Sequence, residues 1–486
     1  MKHTLIIKTC GLIIAACMLQ SCTKSFEELN KDPTKPTDAP AENIITGAEK
    51  AASDVMYNNY VNGKIGMLYS QFWSQTQKES DSQYQLDEGC NNTLWGLYSG
   101  ALSNLDQVVQ LHNANPEAVT QNEAAVANIL SVWLFHVLTD VYGNVPYADA
   151  LKGLENFTPA YTDAATIYDS LLQKLDVQIA MFDTTKATFK SGELIYNGDI
   201  TKWKKLANSL KLRIGIRMAD ANPAKAKQAI ESAVASGVIV SNDDNALFPY
   251  YTTIPDQFPF NEQSGAGTPN DYVMSETAVN FMKQINDPRL AIYARPAKDD
   301  DAIRGKVYGQ GSFSNDFTYY SYPGTKVYSP DFPGIIITAA EVEFALAEAA
   351  QRGFNVGGSA ADHYANGIKV SMQFWGVSDA DATAYLANVP YQEARWKDCI
   401  GAQKWLALYM QGLQSWAERI RLDFKNPVDG SEIFAKPKSL DPTVTTVPFR
   451  LTYPISEGNI NRVNYQAAGE AIGGDAKGTR LWWNKN

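Results

Sequence analysis

Thr338-Ala-Ala-Glu-Val-Glu-Phe-Ala-Leu-Ala-Glu-Ala-Ala-Gln-Arg-Gly353, followed five residues later by Ser359-Ala-Ala-Asp-His-Tyr-Ala-Asn-Gly-Ile-Lys-Val370, decides the fold. Each half opens on a hydroxyl residue with an acid three positions on, the signature of a helix N-terminus. The first half ends on glycine, a usual helix stop. Ala345, Ala347, Ala349 and Ala350 face Ala361, Tyr364 and Ile368, and small residues let two helices approach closely. The stretch predicts an antiparallel helix pair.

The same pattern extends in both directions. Apolar periodicity predicts helices over 42–60, 64–78, 92–112, 119–141, 163–182, 200–220, 223–236, 275–285, 338–353, 359–376, 379–387, 393–411 and 413–424. Short loops pair 92–112 with 119–141 and 393–411 with 413–424. In 200–220, Trp203, Leu206, Ala207, Leu210, Ile214 and Met218 share one face, while Leu212 and Ile216 add a second strip. A helix apolar on two sides packs between neighbours, and Trp203 reads as core. The expected fold is all-α. TPR-like helix pairs form the scaffold, with long irregular loops and little β structure. Two stretches break the pattern, 237–334 and 426–486. Long loops inside a compact fold usually carry function.

The amino terminus reads differently. Lys2 and Lys8 precede a short apolar stretch, Thr9 to Leu19, and then Leu19-Gln20-Ser21-Cys22. This is a signal peptide ending in a lipobox-like phrase, in which Cys22 becomes the lipidated first residue. Residues 1–21 are expected to be removed and 22–40 to form a proline-rich tether. Residues 41–486 are expected to form a single domain. Elsewhere no apolar run approaches the roughly 20 residues that span a bilayer.

The formal charge is −11, which disfavours nucleic acid as a partner. Cys90 and Cys399 are the thiols left after processing; they could pair, but two isolated buried thiols fit better. No HExxH, GxSxG, GxxxxGK[ST], complete GxGxxG or Cys/His metal spacing occurs, so no catalytic residue, metal or cofactor is expected. His136 lies in an apolar helix and reads as core. Asp243-Asp244 and Asp299-Asp300-Asp301 read as solvated turns. A glycoside hydrolase needs only two carboxylates, so an all-α surface glycosidase is the rival reading.

Sixteen aromatic residues fall between Phe248 and Phe332, well above the 11% of the whole chain. Tyrosine suits both stacking on sugar rings and hydrogen bonding at a rim. The competing reading is that the rings pin down a long loop or meet a partner. Tyr308, Tyr319, Tyr320 and Tyr322 are the candidate ligand contacts here. An earlier polar segment adds Trp73, Gln75 and Tyr84.

Several phrases, in order, carry a resemblance: Phe26-Glu-Glu-Leu-Asn-Lys-Asp-Pro33, Asp140-Val-Tyr-Gly-Asn-Val-Pro-Tyr-Ala-Asp149, Trp203-Lys-Lys-Leu-Ala-Asn-Ser-Leu-Lys-Leu-Arg213, Asp287-Pro-Arg-Leu290, Glu341 to Glu348, Gln403 to Leu408, and Arg450-Leu-Thr-Tyr-Pro454. Together these phrases resemble the SusD/RagB family of nutrient-binding outer-membrane lipoproteins. The resemblance implies a binding protein rather than an enzyme, facing the cell exterior. It implies a lid over a SusC-like TonB-dependent transporter, capturing an oligosaccharide or another small nutrient. A peptide-binding lid of the same kind is the further alternative. Starch-binding members use an early loop and a later aromatic loop, and that layout joins the two candidate segments above.

Overall fold

The computed structural model describes residues 39–77, 79–261, 271–310 and 318–486; Cys22 and most of the tether lie outside them. Sixteen α-helices occur among the described residues. They are α1 (Ala41–Tyr57), α2 (Glu88–Trp95), α3 (Ser103–Ala114), α4 (Gln121–Tyr142), α5 (Ala164–Met181), α6 (Ile200–Arg217), α7 (Pro223–Ser236) and α8 (Glu276–Gln284). They continue with α9 (Leu290–Tyr293), α10 (Ala339–Gln351), α11 (Ala360–Trp375), α12 (Asp379–Asn388), α13 (Trp396–Ala407), α14 (Gly412–Leu422), α15 (Ile455–Ile460) and α16 (Arg462–Ala471). A π-helical segment, Asn59–Met67, follows α1, and another, Tyr98–Leu102, bridges α2 to α3. The fold is all-α and TPR-like, as expected.

Local chemistry sets the helix starts. Thr120 accepts from the Glu123 amide while Glu123 accepts from the Thr120 amide, a complete capping box at α4. Ser359 and Asp362 do the same at α11. Asp163 and Asp199 cap α5 and α6, and Pro223 sits in the first turn of α7. Thr338 makes only half of the expected box: it accepts from the Glu341 amide, but the Glu341 carboxylate is drawn to Arg213 at 2.6 Å. A charge-assisted pair outcompetes a neutral cap.

Helices adjacent in sequence pack side by side: α3 on α4, α4 on α5, α6 on α7, α10 on α11, and α13 on α14. α4 is buried along almost its whole length. Sequence analysis finds no apolar run long enough for a bilayer, and α4 corrects that: its 22 residues suffice by length and composition, but nearly all of its apolar window is buried in the protein. Asn122, Glu123, Asn128, His136 and Asp140 interrupt its apolar run.

At the centre, charged residues are buried together. Arg217 reaches Asp140 at 3.0 Å and Glu418 at 2.8 Å. Arg421 forks onto Glu348 at 2.5 Å and Glu418 at 2.6 Å, and Lys404 meets Glu418 at 3.1 Å. Five helices, α4, α6, α10, α13 and α14, are thereby tied together.

Closure also comes from contacts between distant parts of the chain. The Tyr57 hydroxyl donates to the Ile335 carbonyl, 278 residues away. The Trp405 indole donates to the Ser70 carbonyl, and the Gly412 amide to Asn62, 350 residues away. Beside that last bond, α14 crosses the Asn59–Met67 segment backbone to backbone: a Cβ on Gly412 would lie 2.4 Å from the Gly66 Cα. Only glycine permits such an approach. Buried apolar side chains from Ala41 to Trp483 form one continuous cluster.

Two expectations need correction. Helix 64–78 stops at Met67, and Trp73–Gln75 becomes strand β1. The break falls at Gln71, whose φ is 55°, and β1 then pairs antiparallel with β5 (Tyr272–Met274). The stretch 426–486 holds α15 and α16, short helices that follow Pro454 and Asn461. The remaining strands, β2 (Val145–Pro146) with β3 (Tyr161–Thr162) and β4 (Ala246–Phe248) with β6 (Gly334–Ile337), form two further two-stranded ladders. Cys90 and Cys399 are buried free thiols.

Candidate ligand-binding site

Most of the aromatic residues in 237–334 turn inward. They stack on one another and on the helices: Phe258 on Phe332 at 5.1 Å, Tyr293 on Tyr409 at 4.1 Å, Tyr293 against Trp375 at 4.8 Å. A loop without a periodic apolar face needs another way to bury area, and large rings supply it. The pinning role thus accounts for most of the excess.

The early candidates join this interior. Trp73 is fully buried, its indole N–H donating to the Tyr409 hydroxyl at 3.0 Å and its ring 5.3 Å from both Phe260 and Tyr272. Gln75 is buried, donating to Asp81 at 3.0 Å and accepting from the Ser82 amide at 3.0 Å. Tyr84 is buried with φ of 71°, and its hydroxyl donates to the Thr446 carbonyl. Tyr308 is buried as well, its hydroxyl without a hydrogen-bond partner in the protein. Tyr322 is buried beneath Arg295, whose guanidinium lies 5.7 Å from its ring. These five side chains, expected as ligand contacts, are buried in this structure. Their ring and amide chemistry serves the interior instead.

Tyr319 and Tyr320 differ. Tyr319 is 42% exposed and Tyr320 half-buried. Their rings meet edge to face at 5.1 Å. The Arg304 guanidinium lies over the Tyr319 ring at 4.2 Å, donates to the Tyr319 carbonyl at 3.0 Å and pairs with Asp300 at 2.8 Å. The Arg304 and Ser321 backbones are also joined, the Ser321 amide donating to the Arg304 carbonyl at 2.8 Å. The result is an outward-facing platform of two rings whose position is fixed from behind by an arginine. Arg304 and Asp300 are the residues that sequence reasoning missed. Asp300 was read as a solvated turn acid, and nothing in the spacing tells that Arg304 folds onto a ring fifteen residues later.

A second surface feature is apolar. Leu154 is 85% exposed and Val463 80%, with Phe157, Ile455 and Ile460 beside them in exposure. The loop and the carboxy-terminal helices are bound to each other: Asn461 donates to the Pro159 carbonyl, Asn464 to the Thr158 carbonyl, and Tyr161 to Glu457. Between them opens a hollow of about 350 Å³ lined by Trp95, Tyr98, Leu151, Phe157 and Pro159.

The fold and these surfaces define a helix-pair scaffold with a binding surface carried on loops. Comparison with known proteins supplies the family. The sequence profile of the SusD-like family, described as starch-binding and associating with the outer membrane, matches residues 33–454. A solved chitin-binding protein superposes with a TM-score of 0.81 at 26% identity, covering 92% of this chain and all of its own. A SusD homologue from Bacteroides uniformis gives 0.79 at 25%, with the same coverage. A chitin-binding SusD homologue from Flavobacterium johnsoniae gives 0.77 at 25%, covering 91% of this chain and 99% of its own. No curated protein matches the chain. The chain belongs to the SusD-like family, whose characterised members are binding proteins.

Proposed function

We propose that this protein is a lipid-anchored glycan-binding subunit on the outer face of the outer membrane, and that it captures oligosaccharide for a SusC-like TonB-dependent transporter without cleaving it. The observation that carries the reading is the Tyr319–Tyr320 platform. Tyr60, Phe157 and Tyr251 are at least as exposed, but Tyr319 is held by both an arginine and a second ring, and sugar rings stack on such faces. Stacking of a planar ligand on an aromatic residue contributes about 1–3 kcal/mol per ring. Tyr319→Ala or Tyr320→Ala should therefore weaken binding about ten- to a hundredfold, at 1.4 kcal/mol per decade. Exposed substitutions rarely cost much stability, so Tm should hold. A glycan panel read by calorimetry, with oligosaccharide profiles followed in parallel, makes the test. Wild-type affinity in both variants would remove the platform from the site, and steady product release would favour the glycosidase.

Cys22 lies outside the described residues. Its proposed lipid is tested by Cys22→Ala, which should leave the detergent phase and the outer-membrane fraction when no transporter is present. Retention of the variant in that fraction would rule the anchor out.

The apolar face around Leu154 and Val463 is proposed to meet the barrel. Such faces on soluble proteins mark contact surfaces, and the family associates with the outer membrane. Leu154→Asp with Val463→Asp should abolish most copurification of the barrel while leaving Tm unchanged. Full recovery of the barrel would place the contact elsewhere.

A further inference from the structure

Six arginines are buried among the described residues: Arg213, Arg217, Arg289, Arg419, Arg421 and Arg450. Five hold a carboxylate. Arg213 pairs with Glu341, Arg217 with Asp140 and Glu418, Arg289 with Asp287, Arg421 with Glu348, and Arg450 with Asp475. Arg419, only 7% exposed, has no carboxylate within the 4.0 Å of an ion pair. Its guanidinium donates to the Tyr69 carbonyl, neighbours the Tyr84 hydroxyl and lies 4.1 Å from the centre of the Phe434 ring, with Asp423 near enough to act on it but not to form an ion pair. Burial pulls it below the usual arginine range, whereas the paired Arg217, Arg289 and Arg421 are raised. A buried charge without a counter-charge is costly, and here the other five sites show how this protein ordinarily avoids that cost.

Arg419 lines a cavity of about 230 Å³. Two more cations line it, Lys436 and Arg480, and neither has a carboxylate at ion-pair distance among the described residues. Arg480 lies over the Phe449 ring at 4.1 Å and donates to the Asn484 side chain at 3.3 Å. Asp423 and Glu432 are the acids of the wall; Glu432 pairs outward with Lys425 at 3.4 Å. Both guanidinium groups thus lie over phenyl rings, and each spends only part of its hydrogen-bonding edge within the protein, Arg419 on Tyr69 and Arg480 on Asn484. Phe424, Phe434 and Phe449 give the cavity apolar walls, and its volume suits one sugar-sized ring.

We propose that this cavity holds the carboxylate of an acidic sugar unit, so that the captured glycan carries uronic acid. The inference rests on the glycan-binding reading and narrows it. At neutral pH such a carboxyl is ionised; it would supply the counter-charge that Arg419 lacks, while the ring's apolar face meets the phenyl walls. Lys436 and Arg480 are exposed at the mouth, so the buried Arg419 is the cation whose charge the cavity leaves without an ion pair.

The probes are uronate trisaccharides and their carboxyl-reduced, neutral counterparts, titrated calorimetrically into the full chain. The uronate should bind at least tenfold more tightly than its neutral form, and this advantage should shrink as salt rises. Lys436→Gln with Arg480→Gln, both on the wall and less buried than Arg419, should erase the advantage with Tm unchanged. Arg419→Met should do the same, and its failure to fold would leave the rim pair as the test. Equal binding of acidic and neutral trisaccharides, with the neutral form still sensitive to Tyr319→Ala, overturns the acidic-sugar inference and leaves the glycan reading intact. A uronate advantage undiminished in the rim double variant overturns the site. No binding by any sugar, acidic or neutral, overturns both readings.

Discussion

Glu418→Gln is expected to lose about 3–5 kcal/mol of folding stability, the range for removing one partner of a buried ion pair. Glutamine nearly preserves shape, so the loss isolates charge from packing. Glu418 is buried and faces three cations: Arg217 at 2.8 Å, Arg421 at 2.6 Å and Lys404 at 3.1 Å. Arg421 keeps Glu348 and Arg217 keeps Asp140, but Lys404 has no other carboxylate partner. An unpaired ammonium would then sit in the interior. Burial alone would raise the Glu418 carboxyl, yet Arg421, Lys404 and Arg217 together hold it well below the usual carboxylate range. Lys404→Met added to Glu418→Gln should recover part of the loss, which a double-mutant cycle reads directly. Denaturant unfolding of the four proteins makes the measurement. A single-variant loss under about 1 kcal/mol would show that solvent or rearrangement compensates the centre.

Through His136, acid should begin to destabilise the protein at a pH where an ordinary carboxylate is still ionised, with the raised Glu49 opposing part of that loss. His136 is fully buried between α4 neighbours; burial is the main reason its pKa falls to about 4, with Arg217 and Arg213 adding to the shift and Asp140 and Glu418 opposing it. The folded imidazole is neutral at pH 5, whereas in the unfolded chain, near 6.5, it is protonated. The unfolded state therefore binds more protons between these values, and stability is lost as pH falls from about 6.5 to about 4. At 1.36 kcal/mol per unit, the loss approaches about 3 kcal/mol. Glu348 and Glu418, both lowered by their arginine partners against the effect of burial, extend the loss below about pH 4.5. His136→Gln should flatten the upper window and leave the lower one. An unchanged profile between pH 6.5 and 4.5 would mean that His136 is not the group responsible.

The helices were legible because their signals are local. The caps at Thr338 and Ser359, the two-sided face around Trp203 and the glycine stop at Gly353 lie within a turn or two of what they control. The break at Gln71 was not legible, because β1 forms only through its partner some two hundred residues on. The site was harder for a different reason. Tyr308 and Tyr319 differ in nothing that composition can see; one fills the interior and the other faces out, and only the path of the chain decides which. Trp73 had every property of a sugar platform and uses them on Tyr409, Phe260 and Tyr272. Arg419 sits in a buried helix beside four other charged or polar residues, and its lack of a carboxylate partner becomes visible only after every other buried arginine has found one.

The closures linking Tyr57 to Ile335, Trp405 to Ser70 and Gly412 to Asn62 bear on timing. Tyr57, Asn62 and Ser70 each have a partner in the last third of the chain, so the amino-terminal part of the described fold cannot complete its own interior. Contacts so far apart in sequence form slowly, because loop closure costs entropy before any contact returns it. Until the last third of the chain has been made, the residues that lock this structure are missing.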